Sequence, residues 1–222
     1  MIGKKLIKKL LMFTVIALLL SGCVNGQSTE EKIYQLLENV VKIEKDFKDQ
    51  QQPLLELEQK EKDIYDQILE LGLKEKDQIN SLADEAINLS AERKNLLDKE
   101  KESIDKSKTE FEGFKNLISE IKDESLKEEA SALYSIMEER YEIHKQLYDK
   151  YVEAIKLDEE LYNMLKDEDV SLDILEPQIE KINSIYSEVY SLNDQFNELT
   201  SKYNDGKIKF YQNAGLNISV EK

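Results

Sequence analysis

Apolar residues return every three or four positions along almost all of this 222-residue chain, and little interrupts them. Ile33, Leu36, Leu37, Val40, Val41 and Phe47 mark a first stripe, which Ile64, Ile68 and Leu71 continue. A second holds Ile79, Leu82, Ala86, Leu89 and Leu96, then resumes at Phe111, Phe114, Ile118 and Ile121. A third runs from Leu126 through Leu133, Met137, Tyr141, Leu147, Tyr151, Ile155 and Leu161 to Leu165. A fourth links Ile179, Ile182, Ile185, Val189, Leu192, Phe196, Leu199 and Tyr203. This spacing puts apolar side chains on one face of an α-helix and does not fit the alternation of a strand. Two prolines and seven glycines are all the breakers the chain contains.

The stripes stop at regular intervals. Gly72 suits the residue just past a helix end. Lys122 to Ser125 forms a polar turn in which Asp123 or Ser125 caps the next helix. Asp167 to Asp173 forms another around Val170, with Ser171 or Asp173 as cap and Pro177 tolerated in an early turn. Four helices of roughly 40 to 48 residues with short connections must run antiparallel, so the fold expected is all-α, an elongated up-and-down four-helix bundle. Pro53 sits within the first helix, where its missing N–H and its ring predict a kink. Glu-to-Lys pairs such as Glu38–Lys42 and Glu44–Lys48 support the helices at i,i+4, but each adds only a few tenths of a kcal/mol. Past Asn213 the pattern shifts towards alternation at Leu216, Ile218 and Val220, and Gly206 and Gly215 interrupt it. A tail at residues 214–222 is expected to leave the bundle.

The N-terminus reads as an export signal. Lys4, Lys5, Lys8 and Lys9 form a cationic start, and Leu10 to Leu20 is apolar apart from Thr14, too short to span a bilayer comfortably. Leu20-Ser21-Gly22-Cys23 then resembles the lipobox of bacterial lipoprotein precursors. That resemblance implies cleavage before Cys23 and a diacylglycerol thioether on it, hence a membrane anchor. The domain reading is residues 1–22 as a removed signal, 23–29 as lipidated Cys23 and a short linker, 30–213 as the bundle and 214–222 as the tail. Loss of the four signal lysines takes the net charge from −16 to −20. No basic patch is left for nucleic acid. With Cys23, the chain's one cysteine, acylated, no internal disulfide can form. Lysine outnumbers arginine 29 to 2, a composition compatible with a low-GC Gram-positive bacterium.

Lipobox, short linker and a long acidic Lys/Glu-rich helical body together resemble the cell-wall-binding lipoproteins of staphylococci and bacilli. The resemblance implies a helical bundle on the outer face of the cytoplasmic membrane, facing the wall. Peptidoglycan or another wall polymer is then the expected partner, and the expected role is wall binding or envelope scaffolding. The alternative is a helical adaptor or regulator that binds a membrane or envelope protein.

No catalytic site is legible, and nothing calls for a cofactor or a metal. His144 is the lone histidine, a solvated or packing residue with no carboxylate among its helical neighbours, so di-iron and zinc sites lack ligands. Paired carboxylates such as Glu128-Glu129 belong on solvated faces of so acidic a chain. Eleven tyrosines stand out. Tyr134, Tyr141 and Tyr148 are spaced by sevens with Tyr162 two heptads on, either as an aromatic face for sugars or a partner helix, or as core-boundary residues with wet hydroxyls. Arg93 falls near the seam between Leu89 and Leu96. It either fixes register in an ion pair or snorkels to solvent, the second being the expectation.

Overall fold

The computed structural model describes residues 27–72 and 75–216. The signal, Cys23 and the tail beyond Leu216 lie outside the described residues. Among those described there is no strand, and the chain forms helices α1 (Thr29–Ile43), α2 (Lys45–Leu71), α3 (Lys76–Glu120), α4 (Glu124–Leu165) and α5 (Leu172–Asn213). The all-α bundle expected from the stripes is what forms. α1 and α2 together make its first long helix. It turns back at Gly72, at Asp123 and between Lys166 and Ser171. Ser28 starts the bundle with a capping box: its hydroxyl accepts from the Glu31 N–H, and the Glu31 carboxylate accepts from the Ser28 N–H, both at 3.1 Å. Asp123 caps α4 by accepting from the Leu126 N–H at 3.0 Å.

The first helix is interrupted at Glu44, not at Pro53, which sits inside an unbroken α2. The cause is tertiary. In a continuous helix the Phe47 N–H would bond to the Ile43 carbonyl. Here it donates to Ser103 Oγ of α3 at 3.1 Å, and that hydroxyl donates to the Ile43 carbonyl at 2.9 Å. A side chain inserted into the ladder is a recognised source of a helix kink. Replacing Ser103 with alanine should therefore let Phe47 bond Ile43 directly and make the helix continuous through Glu44. The expected stability change is about 1 kcal/mol. A crystal structure of Ser103→Ala with the interruption still at Glu44 would refute this cause.

Gly206 does not break α5 as the pattern predicted. It lies within the helix at a close approach, where an added Cβ would stand 3.3 Å from Leu133 Cδ1. The helix ends instead at Gly215, whose φ of 70° closes a Schellman turn. Leu216 N–H reaches the Tyr211 carbonyl at 3.0 Å, and Gly215 N–H reaches Gln212 at 3.1 Å. Leu216 packs back on the core, so the chain is still on the bundle three residues past Asn213.

We call the end carrying Ser28, Asp123 and Asn213 proximal, and the end carrying Gly72 and Lys166 distal. The core is not uniform between them. The proximal end is apolar and aromatic, built on Ile33, Leu37, Phe111, Phe114, Met137 and Phe210. The distal end is aliphatic, built on Ile64, Ile68, Ile79, Leu161, Leu165 and Leu175. Only a small apolar cluster around Leu97, Ile155 and Ile185 lies between. α3 packs closely on α1, α2 and α4, and α4 on α5. The α5 side is closed onto α1 and α2 by large side chains: Tyr34 on Tyr211 at 4.9 Å and Phe47 on Phe196 at 5.6 Å between ring centres. No described helix is long and apolar enough to cross a membrane.

Candidate functional site, a buried polar waist

The inward face of α3 changes character halfway along. Ser90, Arg93, Glu100, Ser103 and Ser107 are all buried there. Facing residues supply Glu44 and Glu61 from the first long helix, Arg140, His144 and Asp158 from α4, and Thr200 from α5. Buried charge is costly unless paired and hydrogen-bonded, and the waist resolves this at two arginines.

Arg140 is 1% exposed. Its two terminal nitrogens each meet an oxygen of Glu44 at 2.8 Å, and its Nε donates to Thr200 Oγ1 at 2.8 Å. Ser107 also donates to Glu44, at 2.6 Å, and shares a 2.7 Å bond with the Tyr141 hydroxyl. The Phe196 ring covers the guanidinium at 4.4 Å. One cation meets one anion here, and the geometry is the planar fork arginine favours. The kink at Glu44 places that carboxylate beside the guanidinium.

Arg93, 3% exposed, is the second hub, and the expected snorkelling does not occur. It donates to Glu61 at 2.5 Å, Asp158 at 3.2 Å, the Tyr151 hydroxyl at 3.1 Å and the Tyr186 hydroxyl at 2.7 Å. Tyr186 bonds Asp158 in turn, and Tyr151 donates to Glu58. Three carboxyls therefore surround one guanidinium. Desolvation pushes Asp158 up to about 6 and Glu58 up to about 7, against the pull of Arg93. Between the hubs, Glu100 is 5% exposed and receives the Gln51 amide at 2.6 Å. Burial pushes its carboxyl up to about 8. His144 packs between Phe47 and Phe196, and burial with Arg140 nearby lowers it to about 3. It is the packing residue of the two readings.

The four heptad-spaced tyrosines do not share one exposed face. Tyr141 and Tyr162 are buried, the first in the proximal half and the second in the distal cluster. Tyr134 stacks on Phe111 at 5.5 Å. Tyr148 lies between Lys94 and Lys101 and donates to Asp98 at 2.6 Å. A heptad drifts about 20° per repeat on a straight helix, so a tyrosine series along α4 winds off any single face. The waist itself was missed from sequence. Its signals were the gap in the second stripe between Leu96 and Phe111, and the presence of just two arginines in a lysine-rich chain. No group of three or more His, Cys, Asp or Glu among the described residues is placed to hold a metal ion.

A long all-helical rod with a buried polar waist defines a structural class of protein. Residues 28–213 match the model of the YkyA family, described as "Putative cell-wall binding lipoprotein", and the chain belongs to that family. It is 36% identical over 206 residues to the "Uncharacterized lipoprotein YkyA" of Bacillus subtilis (strain 168), covering 93% of this chain and 92% of that one. It also resembles the crystal structure of a conserved protein of unknown function from Staphylococcus aureus, with a TM-score of 0.72 at 16% identity over 84% of this chain and 97% of the other. That likeness supports the fold alone. Family membership carries a coarse location, that of a lipoprotein at the cell surface.

Proposed function

We propose that the chain is a membrane-anchored, non-enzymatic rod that binds wall polymer or scaffolds the gap between membrane and wall. The observation that carries this is the position of Thr29 at one end of the rod. A lipid on Cys23 would hold the proximal end within about 20 Å of the membrane, since extended chain spans at most ~3.5 Å per residue. Helices of 42 to 45 residues then lift the distal end about 65 Å further at ~1.5 Å per residue. Stable attachment needs two or more acyl chains, which a lipidated and N-acylated Cys23 supplies. The acidic surface repels anionic wall polymers, so direct binding would run through neutral glycan or bridging cations.

Cys23→Ala should leave the precursor uncleaved or release the protein from the membrane, read by detergent partitioning of intact cells. Normal maturation and unchanged partitioning would sink the anchor. Crosslinking in intact cells followed by mass spectrometry tests the wall role. Adducts confined to proteins would favour the second reading, an adaptor for an envelope protein. The observation behind that reading is that Leu69, Leu172 and Ile174, three of the large apolar residues left exposed, sit at the distal end.

A further inference from the structure

Two clefts open along the outer side of the α2–α3 seam, and their linings differ in charge. The one at mid-length, about 340 Å³, lies over Pro53 and is rimmed by Lys60, Lys99, Glu56 and Glu92. The other, about 590 Å³, lies at the distal end, between Gln67, Glu70 and Leu71 of α2 and Gln78, Ser81 and Leu82 of α3. No lysine or arginine among the described residues lines it. Its size falls within the range of small-molecule sites. Leu71 and Leu82 are half-buried against the distal apolar cluster and give it an apolar floor. Ile68 and Ile79, 2% and 0% exposed, anchor the two helices behind that floor, so both walls are fixed before anything binds.

The polar groups on the rim of the distal cleft have bonding capacity left over. The Gln78 amide, the Ser81 hydroxyl and the Glu70 carboxylate have no hydrogen-bond partner among the described residues. Ser81 differs in this from Ser131 and Ser135, whose hydroxyls donate back to helix carbonyls at 2.7 and 3.1 Å. Gln67 spends an amide N–H on the Asp63 carbonyl at 3.1 Å and keeps its amide oxygen as an acceptor. Donors and acceptors without a cation, above an apolar floor, suit a neutral ligand that carries hydroxyl or amide groups and has an apolar face. A sugar ring has all of these. A phosphate or carboxylate would meet Glu70 with no cation to offset it. We propose that this distal cleft is a binding site for a short stretch of neutral glycan. The proposal rests on the wall-binding reading above and gives that reading a place on the rod. The cleft sits at the end that a lipid on Cys23 would hold farthest from the membrane.

Saturation-transfer NMR of the full-length, lipidated protein tests this, in micelles of a polyoxyethylene detergent that carries no sugar. The probe is the β-1,4-linked tetramer of N-acetylglucosamine, a neutral glycan. The parent should bind it with a Kd of about 1 mM or tighter. Gln78→Ala with Ser81→Ala should weaken binding about tenfold, the effect of two lost hydrogen bonds. Both are exposed helix positions, where alanine keeps the fold. Lys60→Ala with Lys99→Ala, at the charged cleft, should leave binding unchanged, and a poly(glycerol phosphate) chain should not compete. Absence of saturable tetramer binding would overturn the proposal, as would equal binding by the Gln78, Ser81 double variant or displacement by the phosphate polymer. Retention on purified cell-wall sacculi separates this site from the wider reading. Retention of the parent that the double variant loses supports both. Equal retention of parent and double variant overturns the distal site and leaves wall binding standing, whereas no retention of the parent overturns wall binding itself.

Discussion

Replacing Arg140 with methionine should destabilise the bundle by about 3–5 kcal/mol, the usual cost of leaving one partner of a buried ion pair uncompensated. For a domain of this size that is a drop in Tm of roughly 10 °C, at about 2–4 °C per kcal/mol. The reason is the completeness of the site. Glu44 receives two arginine bonds and one serine bond in a place sealed from water, and methionine offers it none. Adding Glu44→Met should restore most of the lost stability, because an apolar pair of similar volume carries no desolvation cost. Calorimetry of the two variants checks both steps. A Tm within 3 °C of the parent for Arg140→Met would mean that Glu44 escapes to solvent and that the hub does not hold the kinked helix.

Thermal stability should fall as pH rises from 6.5 to about 8, and Glu100→Gln should flatten the fall. A carboxyl raised in the folded state keeps a proton that the unfolded chain, with a glutamate pKa near 4.3, has already lost. Stability therefore decreases with rising pH until the folded group itself ionises. Asp158 completes this by about 6, Glu58 by about 7 and Glu100 by about 8. His144 acts with the opposite sign. Its folded state stays neutral to about 3, so it costs stability as pH falls below its ordinary 6.5. The window above 6.5 thus isolates the two glutamates, each worth up to about 1.4 kcal/mol per pH unit while it titrates. Glu100→Gln should also have the higher Tm at pH 8, since an amide keeps the neutral hydrogen bond to Gln51 without the charge. An unchanged slope in that variant would show that Glu100 finds water or a cation when it ionises.

The helices and their turns were legible because both follow from local chemistry. Apolar spacing sets the stripes, and Gly72, Asp123 and the polar run at Val170 end them through backbone preferences that need no partner. The interruption at Glu44 was not foreseen because its cause is remote: Pro53 announces itself in sequence, whereas Ser103 acts on Ile43 and Phe47 from another helix. Gly206 misled for a similar reason, since Leu133 rather than a turn is its neighbour. Arg93 and Arg140 were legible as oddities but not as hubs. Their burial depends on carboxylates arriving from other helices, and in a chain with 47 acidic residues nothing local distinguishes Glu44, Glu61 or Asp158 from a solvated carboxylate.

The change in core chemistry along the rod also sets how it carries load. Apolar contacts are non-directional and tolerate sliding, so the two ends can shear slightly without loss. The bonds at Arg93 and Arg140 are directional and weaken steeply with misalignment. Tension along the axis is therefore met by a middle that resists small strains stiffly and then gives way abruptly, while the flanking blocks remain folded. A rod built this way fails at a defined point rather than unravelling from its tips.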